Sequence, residues 1–126
     1  MKNVKVPIRA GFTLVEIMIV VGIIALLAAI AVPNFVRSRA KSQATACISN
    51  LRQIDSAVQQ FALENGKAAG YTVNFPDDLT PYIKLNVDSS IPSCPANGSY
   101  TLTTVGNIPS VLCSLGTTVD PPHILP

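Results

Sequence analysis

The sequence predicts an α+β protein in which a long amino-terminal helix passes from a membrane into a soluble region and is followed by a small antiparallel β domain. Three observations predict this fold. Residues 12–36 are almost continuously apolar, residues 40–61 carry apolar side chains at helical spacing, and residues 76–126 contain eight prolines. The first two patterns are typical of one long helix, and the third is typical of short strands and ordered loops.

The first predicted element is the apolar run, in which Glu16 is the only charged residue. Residues 17–33 carry no charge at all. A helix rises about 1.5 Å per residue and needs roughly 20 apolar residues to cross the hydrocarbon of a bilayer. A chain of 126 residues has too little remaining mass to enclose such a helix on all sides. The run therefore predicts a membrane segment.

Two kinds of processing fit a basic start that is followed by an apolar run. In the first, ordinary signal peptidase cuts after Ala31 and releases a soluble binding module that begins at Val32. In the second, the cut lies before the run and the helix is kept. A carboxylate inside a membrane helix costs about 2.5–3.5 kcal/mol. Because a discarded signal peptide gains nothing from Glu16, this residue favours the retained helix.

Residues 11–16, with the sequence GFTLVE, follow a short basic leader and precede the apolar run. This arrangement resembles the prepilin cleavage and methylation motif of type IV pilins and type II secretion pseudopilins. The resemblance implies that a prepilin peptidase cuts between Gly11 and Phe12 and methylates the new amino group of Phe12. It also implies that Glu16 pairs with the amino terminus of a neighbouring subunit. Pro33 stands where many members of the family carry a proline.

The same resemblance implies a structural subunit that is not an enzyme and needs no cofactor. Such subunits self-associate into the helical filament of a type IV pilus or a type II secretion pseudopilus. Their partners are the prepilin peptidase and the assembly platform and ATPase of the pilus or secretion machine. The resemblance places the protein in the bacterial inner membrane as a single-pass protein, with its carboxyl-terminal domain outside the cytoplasm. The assembled form is a periplasmic pseudopilus or a cell-surface pilus.

The predicted domain organisation follows these boundaries. Residues 1–11 form the leader, and residues 12–36 form the membrane and assembly half of the helix. Residues 37–126 form a soluble pilin-like domain, which consists of an amphipathic helix half at 37–65 and a loop and β region at 66–126.

Basic residues flank the apolar run on both sides, so the positive-inside rule alone gives nearly a tie for orientation. These residues are Lys2, Lys5, Arg9, Arg37, Arg39 and Lys41. Without the first eleven residues, the chain has six basic and seven acidic side chains. A nucleic-acid interface needs basic residues clustered on the folded part, and the sequence indicates none.

Beyond the membrane segment, apolar residues recur at spacings of three and four, which predicts one buried stripe along a helix. The stripe consists of Ala40, Ala44, Cys47, Leu51, Ile54, Val58 and Phe61. Residues 65–66, with the sequence NG, provide a stop signal. Pro33 removes a backbone donor and is expected to kink the helix. Cys47 is predicted to be a small buried residue of the stripe.

The carboxyl-terminal region predicts a short helical turn and a hairpin. Residues 76–83 fit a single turn that packs Leu79 and Ile83. Residues 99–105 and 110–115 are rich in β-branched or apolar side chains, and residues 106–107 offer a turn between them.

Cys94 and Cys113 bracket the predicted hairpin. Three cysteines allow three pairings, and Cys47 already has a place in the helical stripe, so we predict a disulfide between Cys94 and Cys113. Such a bond closes a loop of about 20 residues and is worth roughly 3 kcal/mol in the chain-entropy model.

The sequence predicts neither a metal site nor a catalytic site. Three widely spaced cysteines and one histidine contain no closely spaced ligand pair, and His123 is predicted to be a tail residue in a proline-rich segment. Asp120 is the only acidic residue after Asp88, so the calcium-binding loop of major pseudopilins is not carried over. A membrane-tethered enzyme is disfavoured because no nucleophile is paired with a base.

Overall fold

The computed structural model describes residues 11–126. The predicted leader therefore lies, apart from Gly11, outside the described residues. Along the described part the elements are helix α1 (Leu14–Glu64), a 3₁₀ turn (Asp77–Leu79), strand β1 (Tyr100–Leu102) and strand β2 (Val111–Cys113). The prediction of an α+β fold with a long amino-terminal helix and a small antiparallel β region is confirmed.

Helix α1 begins two residues after the predicted start and ends one residue before Asn65. Gly66 follows with a φ of 60°, a left-handed conformation that glycine adopts at the end of many helices. The backbone N–H of Lys67 donates to the carbonyl of Ala62 over 2.8 Å, which satisfies one of the last free carbonyls of the helix. Pro33 lies inside α1, and whether the helix bends there stays a prediction.

The chain divides into two compact units between Val36 and Arg37. In the first unit every described side chain except Ala28 is exposed. Within residues 11–126, α1 is the one helix long and apolar enough to cross a membrane. A continuous apolar surface of this kind marks a region that is covered by lipid or by other protein chains.

The second unit has its core between the carboxyl-terminal half of α1 and the region that follows it. From α1 the core receives the stripe predicted from the sequence, with Leu51 and Ile54 almost fully buried and Ala40 only half-buried. The opposite side of the core consists of Val73, Leu79, Ile83, Cys94, Val105, Val111 and Cys113.

Strands β1 and β2 form an antiparallel pair in which Tyr100 lies opposite Cys113 and Leu102 lies opposite Val111. Each strand has three residues, which is shorter than the sequence predicts. Beyond the pair, Thr104 makes an isolated bridge with Thr72 instead of extending the hairpin. Pro109 precedes β2, where its missing backbone N–H removes no hydrogen bond from the ladder.

A polar contact joins α1 to the start of β2. Oδ1 of Asp55 accepts hydrogen bonds from the backbone N–H of Ser110 and from its hydroxyl group. Ser110 is only 3% exposed, so these two donors have little access to water. The contact therefore satisfies a buried polar residue and fixes the hairpin against the helix.

We expect Asp55→Ala to lower the free energy of unfolding by about 1–3 kcal/mol, because it leaves the buried donors of Ser110 without an acceptor. Thermal unfolding of the full chain in detergent, followed by circular dichroism, measures this effect. Ser56→Ala is the matched control, since the exposed Ser56 hydroxyl donates only to the carbonyl of Arg52 in the same helix. Equal stability of the two variants would contradict the proposed role of Asp55.

Candidate functional site

The predicted cleavage and methylation residues lie at the start of the described chain. Gly11 and Phe12 precede α1, and the ring of Phe12 is 86% exposed. No heavy atom lies within 4 Å of the position that a Cβ on Gly11 would occupy, chain neighbours aside. The bond between the two residues is therefore unobstructed by the rest of the described chain.

Glu16 is engaged in a reciprocal contact with Thr13 at the start of α1. Oε2 of Glu16 accepts hydrogen bonds from the backbone N–H of Thr13 over 2.7 Å and from its hydroxyl over 2.9 Å. The backbone N–H of Glu16 donates to Oγ1 of Thr13 over 3.2 Å. This is a capping box, in which the residue before the helix and the third residue of the helix satisfy each other's donors.

The capping role of Glu16 was missed in the sequence, although a threonine followed three residues later by a glutamate before an apolar run is its known signal. The contact gives Glu16 a structural role within a single chain. Any role in subunit assembly therefore has to be separated from capping by experiment.

Four potential metal ligands or nucleophiles meet in the core of the second unit. Cys47, Cys94, Cys113 and His123 are all buried, and one ligand atom from each lies within 4.8 Å of the others. We call these four residues the Cys–His cluster. The sequence predicted His123 to be a tail residue and indicated no metal site, whereas the structure buries His123 beside three cysteines that are widely spaced along the chain.

Each member of the Cys–His cluster comes from a different part of the second unit. Cys47 belongs to the buried stripe of α1, as predicted, and Cys113 is the last residue of β2. Cys94 lies in the loop before β1. His123 is held by a hydrogen bond from its backbone N–H to the carbonyl of Gly116 over 2.7 Å. The cluster therefore connects the helix, the hairpin and the final segment.

A hydrogen bond from outside the cluster reaches one of its sulfur atoms. The hydroxyl of Tyr100 donates to Sγ of Cys47 over 3.4 Å and accepts a hydrogen bond from Asn50 over 3.3 Å. Within the cluster, Nδ1 of His123 lies 3.3 Å from Sγ of Cys94.

These surroundings separate the thiols of Cys47 and Cys94. Burial raises the pKa of the Cys47 thiol to about 12, although the hydrogen bond from Tyr100 opposes this effect. Burial also acts to raise the pKa of Cys94, but the backbone donors of Ala96 and Gly98 and the two neighbouring thiols lower it below its ordinary value. Cys94 is therefore the thiol of this pair that more readily becomes a thiolate.

All three cysteines are free in the structure, so the predicted disulfide between Cys94 and Cys113 is not formed there. Sγ of Cys47 lies within 4.8 Å of the sulfur atoms of Cys94 and Cys113. The position of Cys47 in the helical stripe therefore does not prevent a disulfide between Cys47 and one of the other two cysteines. The sequence argument that preferred Cys94–Cys113 among the three pairings no longer holds. The Cys94–Cys113 bond stays a prediction.

The proximity of Cys94 and His123 also resembles a nucleophile with its base. Both residues are only 3% exposed, and the thiols of Cys47 and Cys113 lie within 4.8 Å of them. A substrate therefore has no direct approach to Sγ of Cys94. The geometry fits a structural connection better than nucleophilic catalysis.

Gly98 packs directly against the cluster, and its lack of a side chain is required there. A Cβ at this position would lie 2.8 Å from Sγ of Cys113 and 3.0 Å from Cγ of Leu115. We expect Gly98→Ala to destabilise the second unit by about 1–3 kcal/mol, because either the thiol or the leucine must move. Thermal unfolding of the full chain measures the change.

Gly116→Ala is the matched control for Gly98→Ala. The nearest atom to its added Cβ is the carbonyl oxygen of Cys113 at 3.4 Å, which is close to an ordinary contact distance. We expect it to unfold near the temperature of the unmodified chain. If Gly98→Ala were equally harmless, the cluster would be more loosely packed than the structure indicates.

Comparison with known proteins identifies the amino-terminal segment. A family described as the prokaryotic N-terminal methylation motif matches residues 8–32. The type IV major pilin protein PilA of Myxococcus xanthus is 42% identical over 65 residues, which cover 52% of this chain and 30% of the relative. A type IV major fimbrial protein FimA of Dichelobacter nodosus is 44% identical over 63 residues, covering 50% of this chain and 40% of the relative.

A relative from a secretion system is also found. The type II secretion system core protein G of Pectobacterium carotovorum subsp. carotovorum is 35% identical over 59 residues, covering 47% of this chain and 38% of the relative. The chain therefore spans less than half the length of these curated relatives. No solved structure matches the chain.

The exposed apolar helix is long and apolar enough to cross a membrane, and its first part overlaps the match to the methylation motif. Over its amino-terminal half the chain is similar to type IV pilins and to a type II secretion system core protein. Its relatives are structural proteins of pili and of a secretion system, which agrees with the prediction that it is not an enzyme.

Proposed function

We propose that the chain is a structural subunit of a helical filament, either a type IV pilus or a type II secretion pseudopilus. The observation that carries this proposal is the apolar surface of residues 12–36, which nothing in the described chain covers and which has a single carboxylate, Glu16, near its start. In a bilayer this surface contacts lipid, and in a filament it contacts the same segment of other subunits. Both environments exclude water from it.

Maturation begins with cleavage between Gly11 and Phe12 by prepilin peptidase, followed by methylation of the amino group of Phe12. The exposed position of both residues and the match to the methylation motif at 8–32 support this step. Cleavage leaves a cationic amino group four residues before Glu16. The carboxylate of Glu16 then pairs with the amino terminus of a neighbouring subunit, which compensates the cost of holding a charge among apolar helices.

Before assembly, the protein crosses the bacterial inner membrane once through residues 12–36, and residues 37–126 lie outside the cytoplasm. Pro33 lies near the end of the apolar segment and removes the hydrogen bond that its backbone nitrogen would donate within α1. We expect a bend or a loosening of the helix at this residue. Such a bend lets the membrane half and the soluble half adopt different directions when the subunit enters a filament.

The remaining proposed partners are an assembly platform and an ATPase, which extract the subunit from the membrane. The relatives include both pilus and secretion-system proteins. We therefore propose that the machine is either that of a type IV pilus or that of a type II secretion system.

Fractionation of cells that express the chain tests this function. Filaments are sheared from the cell surface, and the sheared material, the cell envelope and the soluble secreted protein are probed for the second unit. Recovery in sheared filaments supports a pilus subunit, and recovery in the envelope with cross-links between copies supports a pseudopilus subunit. Recovery only as a soluble monomer would contradict the filament function and favour the secreted module that begins at Val32.

A further inference from the structure

We propose that the Cys–His cluster is a structural zinc site, with three thiolates and one imidazole as its ligands. The proposal rests only on residues of the second unit and is independent of the proposed filament function. Three cysteines and a histidine form one of the common ligand sets of closed, tetrahedral zinc sites. Soft thiolate and imidazole ligands favour zinc over magnesium or calcium, which prefer oxygen ligands.

The distances in the cluster agree with tetrahedral coordination. With Zn–S bonds of about 2.3 Å and a Zn–N bond of about 2.0–2.1 Å, a tetrahedral site places sulfur and nitrogen about 3.5 Å apart and two sulfurs about 3.8 Å apart. In the structure Nδ1 of His123 lies 3.3 Å from Sγ of Cys94, and all four ligand atoms fit within 4.8 Å. The four ligand atoms are thus gathered closely enough to surround one metal ion.

The surroundings of the cluster supply a donor that supports a metal-bound thiolate. Zinc replaces the thiol protons, so the complex of Zn²⁺ with three thiolates and a neutral imidazole carries one net negative charge. The hydroxyl of Tyr100 donates a hydrogen bond to Sγ of Cys47 over 3.4 Å. Outer hydrogen bonds of this kind orient and stabilise the ligands of metal sites.

The composition of the cluster also favours a metal over a disulfide. A disulfide would use two of the three buried cysteines and would not engage the third thiol or His123. A single zinc ion engages all four residues. It also ties the final segment to α1 and β2, and a domain of about 90 residues gains much from such a connection.

One ligand of the cluster borders the protein surface. His123 forms part of the wall of a surface cleft that is also lined by Gln43, Ala96, Leu115 and Asp120.

The test uses the full chain, extracted from membranes in detergent and desalted in metal-free buffer without reductant. Inductively coupled plasma mass spectrometry is expected to find about one zinc ion per chain. After denaturation with a chelator, alkylation without reductant is expected to modify all three cysteines. A chain that contains no zinc and has only one modifiable cysteine is disulfide-bonded, and that result overturns the proposal.

Zinc can be lost during purification, so the full chain is also incubated with Co²⁺ after chelation and reduction. Thiolate-to-cobalt charge-transfer absorption together with the intense visible bands of tetrahedral cobalt is the expected result. Three free thiols without zinc and without this spectrum would overturn the proposal as well.

Variants test whether these four residues bind the metal. Cys113→Ser and His123→Asn are each expected to lower zinc affinity at least roughly tenfold, and Tyr100→Phe to lower it roughly 10–100-fold through the loss of an outer hydrogen bond. Asp120→Asn is the matched control, because Asp120 lines the same cleft but lies outside the cluster. Equal zinc content in Cys113→Ser and Asp120→Asn would mean that the ion is adventitious.

Discussion

Replacement of Glu16 by alanine is expected to reduce the incorporation of the subunit into filaments by roughly a hundredfold or more, since removal of one partner from a buried ion pair costs about 3–5 kcal/mol. The amount of protein in the membrane should not fall, because alanine removes the insertion cost of a carboxylate. The measurement is the ratio of the chain in purified filaments to the chain in membranes, compared between the variant and the unmodified protein.

Two further variants separate the charge of Glu16 from its capping contact with Thr13. Glu16→Gln keeps an acceptor for the backbone N–H of Thr13, because glutamine also serves in a capping box, but it removes the charge. Thr13→Ala removes the side-chain half of the contact and keeps the charge. If Glu16 pairs with the amino terminus of a neighbouring subunit, Glu16→Gln should fail to assemble into filaments and Thr13→Ala should assemble nearly normally. Normal assembly of Glu16→Gln together with failure of Thr13→Ala would mean that Glu16 acts only as a helix cap.

Leu51→Ala should have the largest effect on stability. Leu51 is 1% exposed and lies on the buried stripe of α1. Truncation of a leucine at such a position costs about 2–5 kcal/mol. A domain of about 90 residues has a net stability on the order of 5–13 kcal/mol, so the variant loses a large part of it. We expect the midpoint of thermal unfolding to fall by roughly 10–25 °C.

Leu63→Ala is the control for Leu51→Ala, because it makes the same chemical change on the same helix. Leu63 is 84% exposed, and its truncation should change the free energy of unfolding by less than about 0.5 kcal/mol. Thermal unfolding of both variants in the same detergent measures the difference. Similar midpoints would mean that the predicted stripe does not form the core of the second unit.

The helix was predictable because its signals are local and repeated. A long apolar run and a spacing of three and four residues depend only on neighbouring positions, and both correctly identified α1 and its buried stripe. The end of α1 was also predictable from the glycine at position 66, which has the positive φ that such an ending requires. The strands were predicted at the correct positions, but the predicted strands were too long. Thr104, which was predicted to lie in the hairpin, instead forms an isolated bridge with Thr72.

The Cys–His cluster was not predictable in the same way. Its members are separated by 47, 19 and 10 positions along the chain, and closely spaced ligand pairs are the signal by which zinc sites are found in sequences. Only the return of β2 to the helix and the course of the final segment bring His123 to Cys94. The sequence therefore identified His123 only as a tail residue, although it is buried beside the three cysteines.

The mature amino terminus tests the filament account most directly. The full chain is isolated from cells that contain a prepilin peptidase, and its first residue is identified by mass spectrometry of the intact protein and of its amino-terminal peptide. We expect Phe12 as the first residue, carrying one methyl group on its amino nitrogen. A chain that begins at Val32 would have lost the apolar segment and Glu16, and it would contradict the proposed assembly.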